Sequence, residues 1–139
     1  MNNSEDKAYR PQQAAALCLK RRKRKLYVLI ITSRQTKRWI IPKGWLEEDK
    51  TEAEVALVEA WEEAGVIADP TSPALIGSYH YDKRLRGAQE KPLEVNVYRI
   101  TSCILAKRYP EKKRRQRKWV SLKKAAKMVD EQSLKRLLL

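Results

Sequence analysis

Arg38-Trp39-Ile40-Ile41-Pro42-Lys43-Gly44-Trp45, then Thr51, then Glu59-Ala60-Trp61-Glu62-Glu63-Ala64-Gly65-Val66: on this stretch the reading of the fold turns. The first part is a short apolar run ended by Pro42 and Gly44, which reads as a strand running into a loop. Thr51 and Glu54 have the spacing that lets a side-chain oxygen and a returning carboxylate satisfy free amides at a helix start. A helix from about Glu52 to Ala64 is therefore predicted, ended by Gly65 in a left-handed cap. Val55, Leu57, Val58, Ala60 and Ala64 supply its apolar side, and Glu52, Glu59, Glu62 and Glu63 lie toward the other. The unit is strand, glycine loop, acidic helix.

Residues three and four apart share a helical face, so Glu59, Glu62 and Glu63 crowd together near the end of that helix. Unneutralised carboxylates so placed repel each other, and a chain that clusters them expects cations. Hard oxygen donors select Mg²⁺, Mn²⁺ or Ca²⁺. An ordinary solvated helix face also carries such acids, but the preceding Pro42-Lys43-Gly44 loop and the terminal Gly65 favour a metal site.

On these residues the sequence resembles the Nudix hydrolase family, whose box runs Gly, five residues, Glu, seven residues, then Arg-Glu-U-x-Glu-Glu-x-Gly-U, with U aliphatic. Gly44, Glu59, Glu62, Glu63, Gly65 and Val66 fall on their positions, and Ala60 stands at a U. Lys50 replaces the first Glu, and Val58 replaces the Arg. The resemblance extends from about Gln12 to the C-terminus. It implies an α/β fold, an α/β/α sandwich around a mixed β-sheet, and metal-dependent hydrolysis of a phosphoanhydride such as that of a nucleoside diphosphate linked to another group. It also implies that Glu59, Glu62 and Glu63 are the catalytic and metal-binding acids, that the Gly44 carbonyl is a further ligand, and that the cofactor is Mg²⁺ or Mn²⁺. Glu59 is the acid assigned to take a proton from water.

In the family the box Arg holds one of the acids by a charge-assisted hydrogen bond, which Val58 cannot make. Loss of such a partner typically costs roughly 10 to 100-fold in metal affinity or activity, so weakened catalysis is expected rather than none. Lys50 lies about two helical turns from Glu59 and leaves the central acids intact.

Charge narrows the substrate. With 31 basic and 17 acidic residues the net charge is +14, an excess that favours polyanionic partners. Arg38, Lys43, Lys83, Arg84 and Arg86 stand at or near loops where cations grip phosphates, and are the candidate substrate-binding residues. The Arg38–Trp45 run and the Ser78–Leu85 segment resemble the branch of diphosphoinositol polyphosphate and diadenosine polyphosphate hydrolases, which implies a small, highly phosphorylated substrate. An alternative from a different class is an impaired Nudix module that binds a phosphorylated ligand or RNA without cleaving it. Val58 supports it, as do the basic runs Lys20–Lys25 and Lys112–Lys118, and incidental nonspecific nucleic-acid affinity is a third expectation.

At 139 residues the chain is expected to be one domain, residues 12–139, after a polar tail at 1–11. That tail lacks the apolar core of a signal peptide, and no stretch approaches the roughly 18 apolar residues needed to span a bilayer, so a cytoplasmic protein is expected. Cys18 and Cys103 fall in apolar strand-like runs and read as buried free thiols. Ala14–Leu19 and Leu26–Ser33 read as a hairpin about the basic run, Ala74–Tyr81, Leu93–Leu105 and Arg117–Ser121 as later strands. Ser121 caps a helix to about Val129, and Asp130 a second to Leu138. His80, between two tyrosines, reads as a packing or hydrogen-bonding residue and Trp119 as core; Trp61 stays open between packing under the sheet and shielding the site, and Trp45 between stacking on a base and covering the helix start.

Overall fold

Strands β1 (Pro11–Arg22) and β2 (Lys25–Thr32) leave their turn as a hairpin and then part. They pair only near the turn, Leu19 to Arg22 against Val28 to Lys25. The segment that decides the fold fills the fork between them. β3 (Trp39–Ile40) closes on β2 at Ile31 and Thr32, and β4 (Lys43–Trp45) closes on β1 at Gln13, Ala14 and Ala15. Pro42 separates the two short strands. It has no amide to give a ladder, and its carbonyl accepts from the Ala16 amide at 2.9 Å. The computed structural model that shows this describes residues 11–84 and 90–139.

Beyond the fork the sheet is mixed. After α1 (Glu52–Ala64), β5 (Val66–Ile67) forms a small ribbon with β8 (Ile104–Leu105). β6 (Ala74–Arg84) pairs antiparallel with β7 (Glu90–Ile100), which runs parallel to β1, and β9 (Arg117–Ser121) pairs with the outer side of β2. The main sheet thus runs β3-β2-β1-β7-β6, with β4 and β9 attached to β1 and β2.

Both faces of this sheet are covered, which is why β1 reads as an unbroken apolar run rather than an alternation. Ala14, Ala16 and Cys18 point to the side where α1 packs Val55, Ala56, Ala60 and Ala64. Small residues on both partners let helix and strand approach closely. Ala15 and Leu17 point the other way, toward α2 (Leu122–Met128) and α3 (Gln132–Leu138), which bury Ala125, Leu134 and Leu138. The expected α/β/α sandwich is the fold that forms. No helix among the described residues is long and apolar enough to cross a membrane.

The predicted start and stop of α1 are both realised. Thr51 Oγ1 accepts from the Glu54 amide at 3.1 Å while the Glu54 carboxylate accepts from the Thr51 amide at 2.7 Å. Gly65 closes the helix at φ 69°. Elsewhere the boundaries differ from expectation. The Leu93–Leu105 run is two strands, because a turn with Ser102 at φ 56° redirects the chain from β7 to the ribbon. Cys103 lies in that turn, half-buried, whereas Cys18 is buried; both are free. The basic run Lys20–Lys25 is turn only at Lys23 and Arg24, since the ladder continues on either side and keeps the charges in solvent. Asp130 does not cap α3. The cap position is Glu131, without a side-chain bond, and Asp130 pairs instead with Arg38 at 3.7 Å.

Arg117 seals the end of α1, donating to the Ala64 carbonyl at 2.8 Å and the Ala106 carbonyl at 2.7 Å while lying over the Tyr109 ring. A cation there suits the negative end of the helix. A β-carbon at Gly65 would stand 2.7 Å from Arg117 Nη1, in a backbone conformation that side chains disfavour. Gly65→Ala is expected to lower the free energy of unfolding by about 1–3 kcal/mol, read by urea denaturation.

Candidate active site

Glu59, Glu62 and Glu63 occupy the C-terminal half of α1, where the helix dipole is negative and the last turn holds no basic residue. Carboxylates there are unfavourable by charge, and one of them is also out of water. Glu63, placed by the sequence pattern on the solvent side, is only 6% exposed. The last turn of α1 tucks beneath β4, so the face that looked open is covered by the glycine loop. The Lys43 amide donates to Glu63 Oε1 at 3.3 Å.

Glu59 lies one turn earlier and is half-buried against Gly44. A β-carbon at position 44 would come within 2.6 Å of Glu59 Cγ and 2.8 Å of its Oε1, so only glycine permits this approach. Glu59 and Glu63 lie close enough for each to affect the other's proton affinity. Burial pushes Glu63 up to about 8, reinforced by its bond to Glu59 and opposed by Arg115 and Lys43. Burial is also the main reason that Glu59 is raised, with Glu62, Glu111 and Glu47 adding repulsion. Glu62 is partly exposed and its carbonyl accepts from the Glu111 amide at 3.0 Å. Among the described residues no three acidic, histidine or cysteine side chains converge on one point. The structure therefore joins Glu59 and Glu63 as a pair, with Glu62 in electrostatic reach.

Arg115, absent from the sequence-derived site, meets this pair. Its Nη2 stands 3.7 Å from Glu63 Oε2, its Nε donates to Glu111 at 2.9 Å and its Nη1 to the Thr32 carbonyl at 3.1 Å. The guanidinium side chain is 9% exposed. Next to it, at the end of β2, opens a cavity of about 480 Å³ lined by Lys37, Trp39, Lys113, Arg114 and Arg115. The basic run Lys112–Lys118 was visible in the sequence, yet no local period indicates that this loop returns to the acidic helix.

The other candidates are more dispersed. Arg38 stands near the Lys43 side chain's neighbour Tyr81, to which it contributes a charge effect, and is held by Asp130. Lys43 Nζ lies 5.3 Å from the Tyr81 ring, and Tyr81 donates to the Gln13 side chain at 2.7 Å. Lys83 and Arg84 lie in β6 opposite Lys91 and Glu90. Arg86 lies outside the described residues. His80 is a hydrogen-bonding residue as expected, its amide donating to Ser133 at 2.9 Å and its ring 3.6 Å from Glu94. Trp119 packs on the core beneath the Lys20 ammonium, whereas Trp45 and Trp61 are exposed.

The model of the NUDIX domain family matches residues 10–138. This chain belongs to the Nudix family. By sequence the Nudix domain is similar to Nudix hydrolase 4 of Arabidopsis thaliana, 30% identical over 100 residues that make up 72% of this chain and 46% of that protein. It thus spans less than half the length of that relative. By structure it is similar to the C. elegans Ap4A hydrolase, with a TM-score of 0.65 at 18% identity over 93% of this chain and 94% of that one. The NUDIX domain of Shewanella oneidensis NrtR, solved with ADP ribose, gives 0.63 at 15% identity over 99% and 95%. At such identities the structural likeness concerns the fold.

The raised proton affinity of Glu63 makes the stability of the Nudix domain depend on pH. Unfolded, Glu63 titrates near its ordinary 4.5, and folded it titrates near 8, so the folded state binds more protons across that window. Stability of the metal-free protein should then fall as pH rises from about 4.5 to about 8. Glu63→Gln is expected to flatten that fall, as followed by thermal unfolding in chelator at a series of pH values.

Proposed function

We propose that this Nudix domain, residues 12–139, is a divalent-metal-dependent pyrophosphohydrolase acting on a small polyphosphorylated substrate. The observation that carries the reading is a carboxylate pair, half-buried Glu59 lying against Gly44 and buried Glu63 facing Arg115, which also lines a cationic cavity. Acids crowded together at the negative end of a helix form a donor set suited to a hard divalent cation. Glu59, Glu63 and Glu62 would hold Mg²⁺ or Mn²⁺, with the Gly44 carbonyl beside them. Such an ion, when bound, polarises phosphoryl oxygens and makes a bound water more acidic.

The chain's own residues supply the rest. Glu59, with its proton affinity raised by burial, is suited to take the proton of the attacking water. Lys37, Lys113 and Arg114 present cations to phosphates that extend beyond the bond being cut. Arg38 and Lys43 add charge near Tyr81, on the side of the fork reached by β6. The net charge of +14 speeds the arrival of polyanions without choosing among them. The likeness to the C. elegans Ap4A hydrolase supports a dinucleoside polyphosphate, and the resemblance carried by the 38–45 and 78–85 segments adds diphosphoinositol polyphosphates.

A second reading, a Nudix module that binds a phosphorylated ligand or RNA with little turnover, rests on Val58 at the box arginine position. One screen separates the two. With Mg²⁺ or Mn²⁺, the protein is offered dinucleoside polyphosphates, diphosphoinositol polyphosphates and nucleoside triphosphates. Release of phosphate or nucleotide that chelator abolishes is expected, with Glu59→Gln and Glu63→Gln each slowing turnover by about 10²-fold or more. Lys113→Glu with Arg114→Glu should raise KM several-fold and leave kcat nearly unchanged. No release from any substrate sinks the hydrolase reading. Tight, salt-sensitive RNA binding by a protein that Val58→Arg does not activate would favour the module.

A further inference from the structure

We infer that Arg115 is the positioning residue of the acid pair, supplying from a distant loop the countercharge that the acidic helix itself lacks. This rests on the hydrolase reading above. The last turn of α1 carries no basic residue, and position 58 is valine. Glu63 nevertheless has a cation at its Oε2, and that cation is Arg115.

The surroundings of Arg115 are built to hold it. The guanidinium is nearly out of water, with Nε bonded to Glu111, Nη1 to the Thr32 carbonyl and Nη2 standing 3.7 Å from Glu63 Oε2. Its backbone is pinned on both sides. Downstream, the Gln116 amide donates to Thr32 Oγ1 at 2.9 Å, and the Thr32 amide donates back to the Gln116 carbonyl at 3.1 Å. Upstream, the Arg114 amide donates to the Glu111 carbonyl at 3.0 Å, and the Glu111 amide donates to the Glu62 carbonyl at 3.0 Å. The loop is therefore stitched to the helix that carries the acids. A planar fork with two of its donors committed elsewhere can swing little, so it fixes where the Glu63 carboxylate lies. Surface arginines of a chain this basic have no need of such anchoring. Arg115 has no direct role in the bond being cut; it acts through Glu63.

The test compares wild type with Arg115→Gln and Arg115→Lys. Calorimetric Mg²⁺ affinity is measured without substrate, steady-state kcat and KM with the best substrate of the screen, and unfolding in chelator shows that each variant is folded. Arg115→Gln should weaken Mg²⁺ binding by roughly 10 to 100-fold and lower kcat far more than it raises KM. Arg115→Lys, which keeps the charge, should recover part of both losses. A folded Arg115→Gln with wild-type Mg²⁺ affinity overturns the inference, as does a defect confined to KM, which would make Arg115 a substrate ligand. Should Arg115→Gln fail to fold, Glu111→Gln frees one anchor of the guanidinium while keeping it present. A smaller weakening of Mg²⁺ binding supports the inference, and unchanged affinity overturns it. If wild type itself neither binds Mg²⁺ nor turns over, the hydrolase reading falls; if wild type does both and the variants match it, only the role of Arg115 falls.

Discussion

A strand without a side chain at one position is what lets a helix carboxylate lie on it. Gly44 faces Glu59 so closely that any β-carbon would displace the acid, and the neighbouring Lys43 amide bonds to Glu63. Everything that fixes the relation of β4 to α1 therefore fixes the acids. The parting of β1 from β2 makes room for the glycine loop, and Pro42 turns it between the two strands. The alanines of β1 and α1 then set the helix close enough for contact. The packing and the chemistry are one arrangement.

That arrangement carries an electrostatic cost. Of the two carboxylates at the unfavourable end of the helix dipole, Glu63 is the one removed from water; burial raises its proton affinity and Arg115 faces it. Arg117 takes the helix carbonyl that the dipole leaves most negative. The strongly basic surface and the acidic centre do not conflict, since the net charge acts over long range and the paired carboxylates act only over contact distances. The cavity bounded by Lys37, Lys113 and Arg114 lies where those two scales meet.

Much of this was legible from local pattern. The capping box at Thr51, the left-handed Gly65 and the helix between them need only neighbours in sequence, and they were read correctly. The sandwich followed from the family resemblance and from apolar runs such as Ala14–Leu19. Burial of Glu63 was hidden, because helical periodicity places it beside exposed acids and cannot show that β4 lies over it. Arg115 was hidden for a similar reason: nothing near it in sequence refers to α1. The break between β7 and β8 depends on Ser102 adopting a left-handed conformation within an otherwise strand-like run. Asp130 looked like a cap until Arg38, remote in sequence, was found to pair with it.

The parallel pairing of β1 with β7 has a bearing on how the molecule comes into being. Parallel neighbours need a long crossover, here carrying α1 and β6, and closing it costs chain entropy before the contact is made. During synthesis the first strand must wait for one made far later before its inner edge is satisfied, and the loop that brings Arg115 to Glu63 emerges later still. The acidic helix can form early by its own caps, but its carboxylates gain their arginine partner only in the closing steps of folding, so the charge they carry stays uncompensated until then.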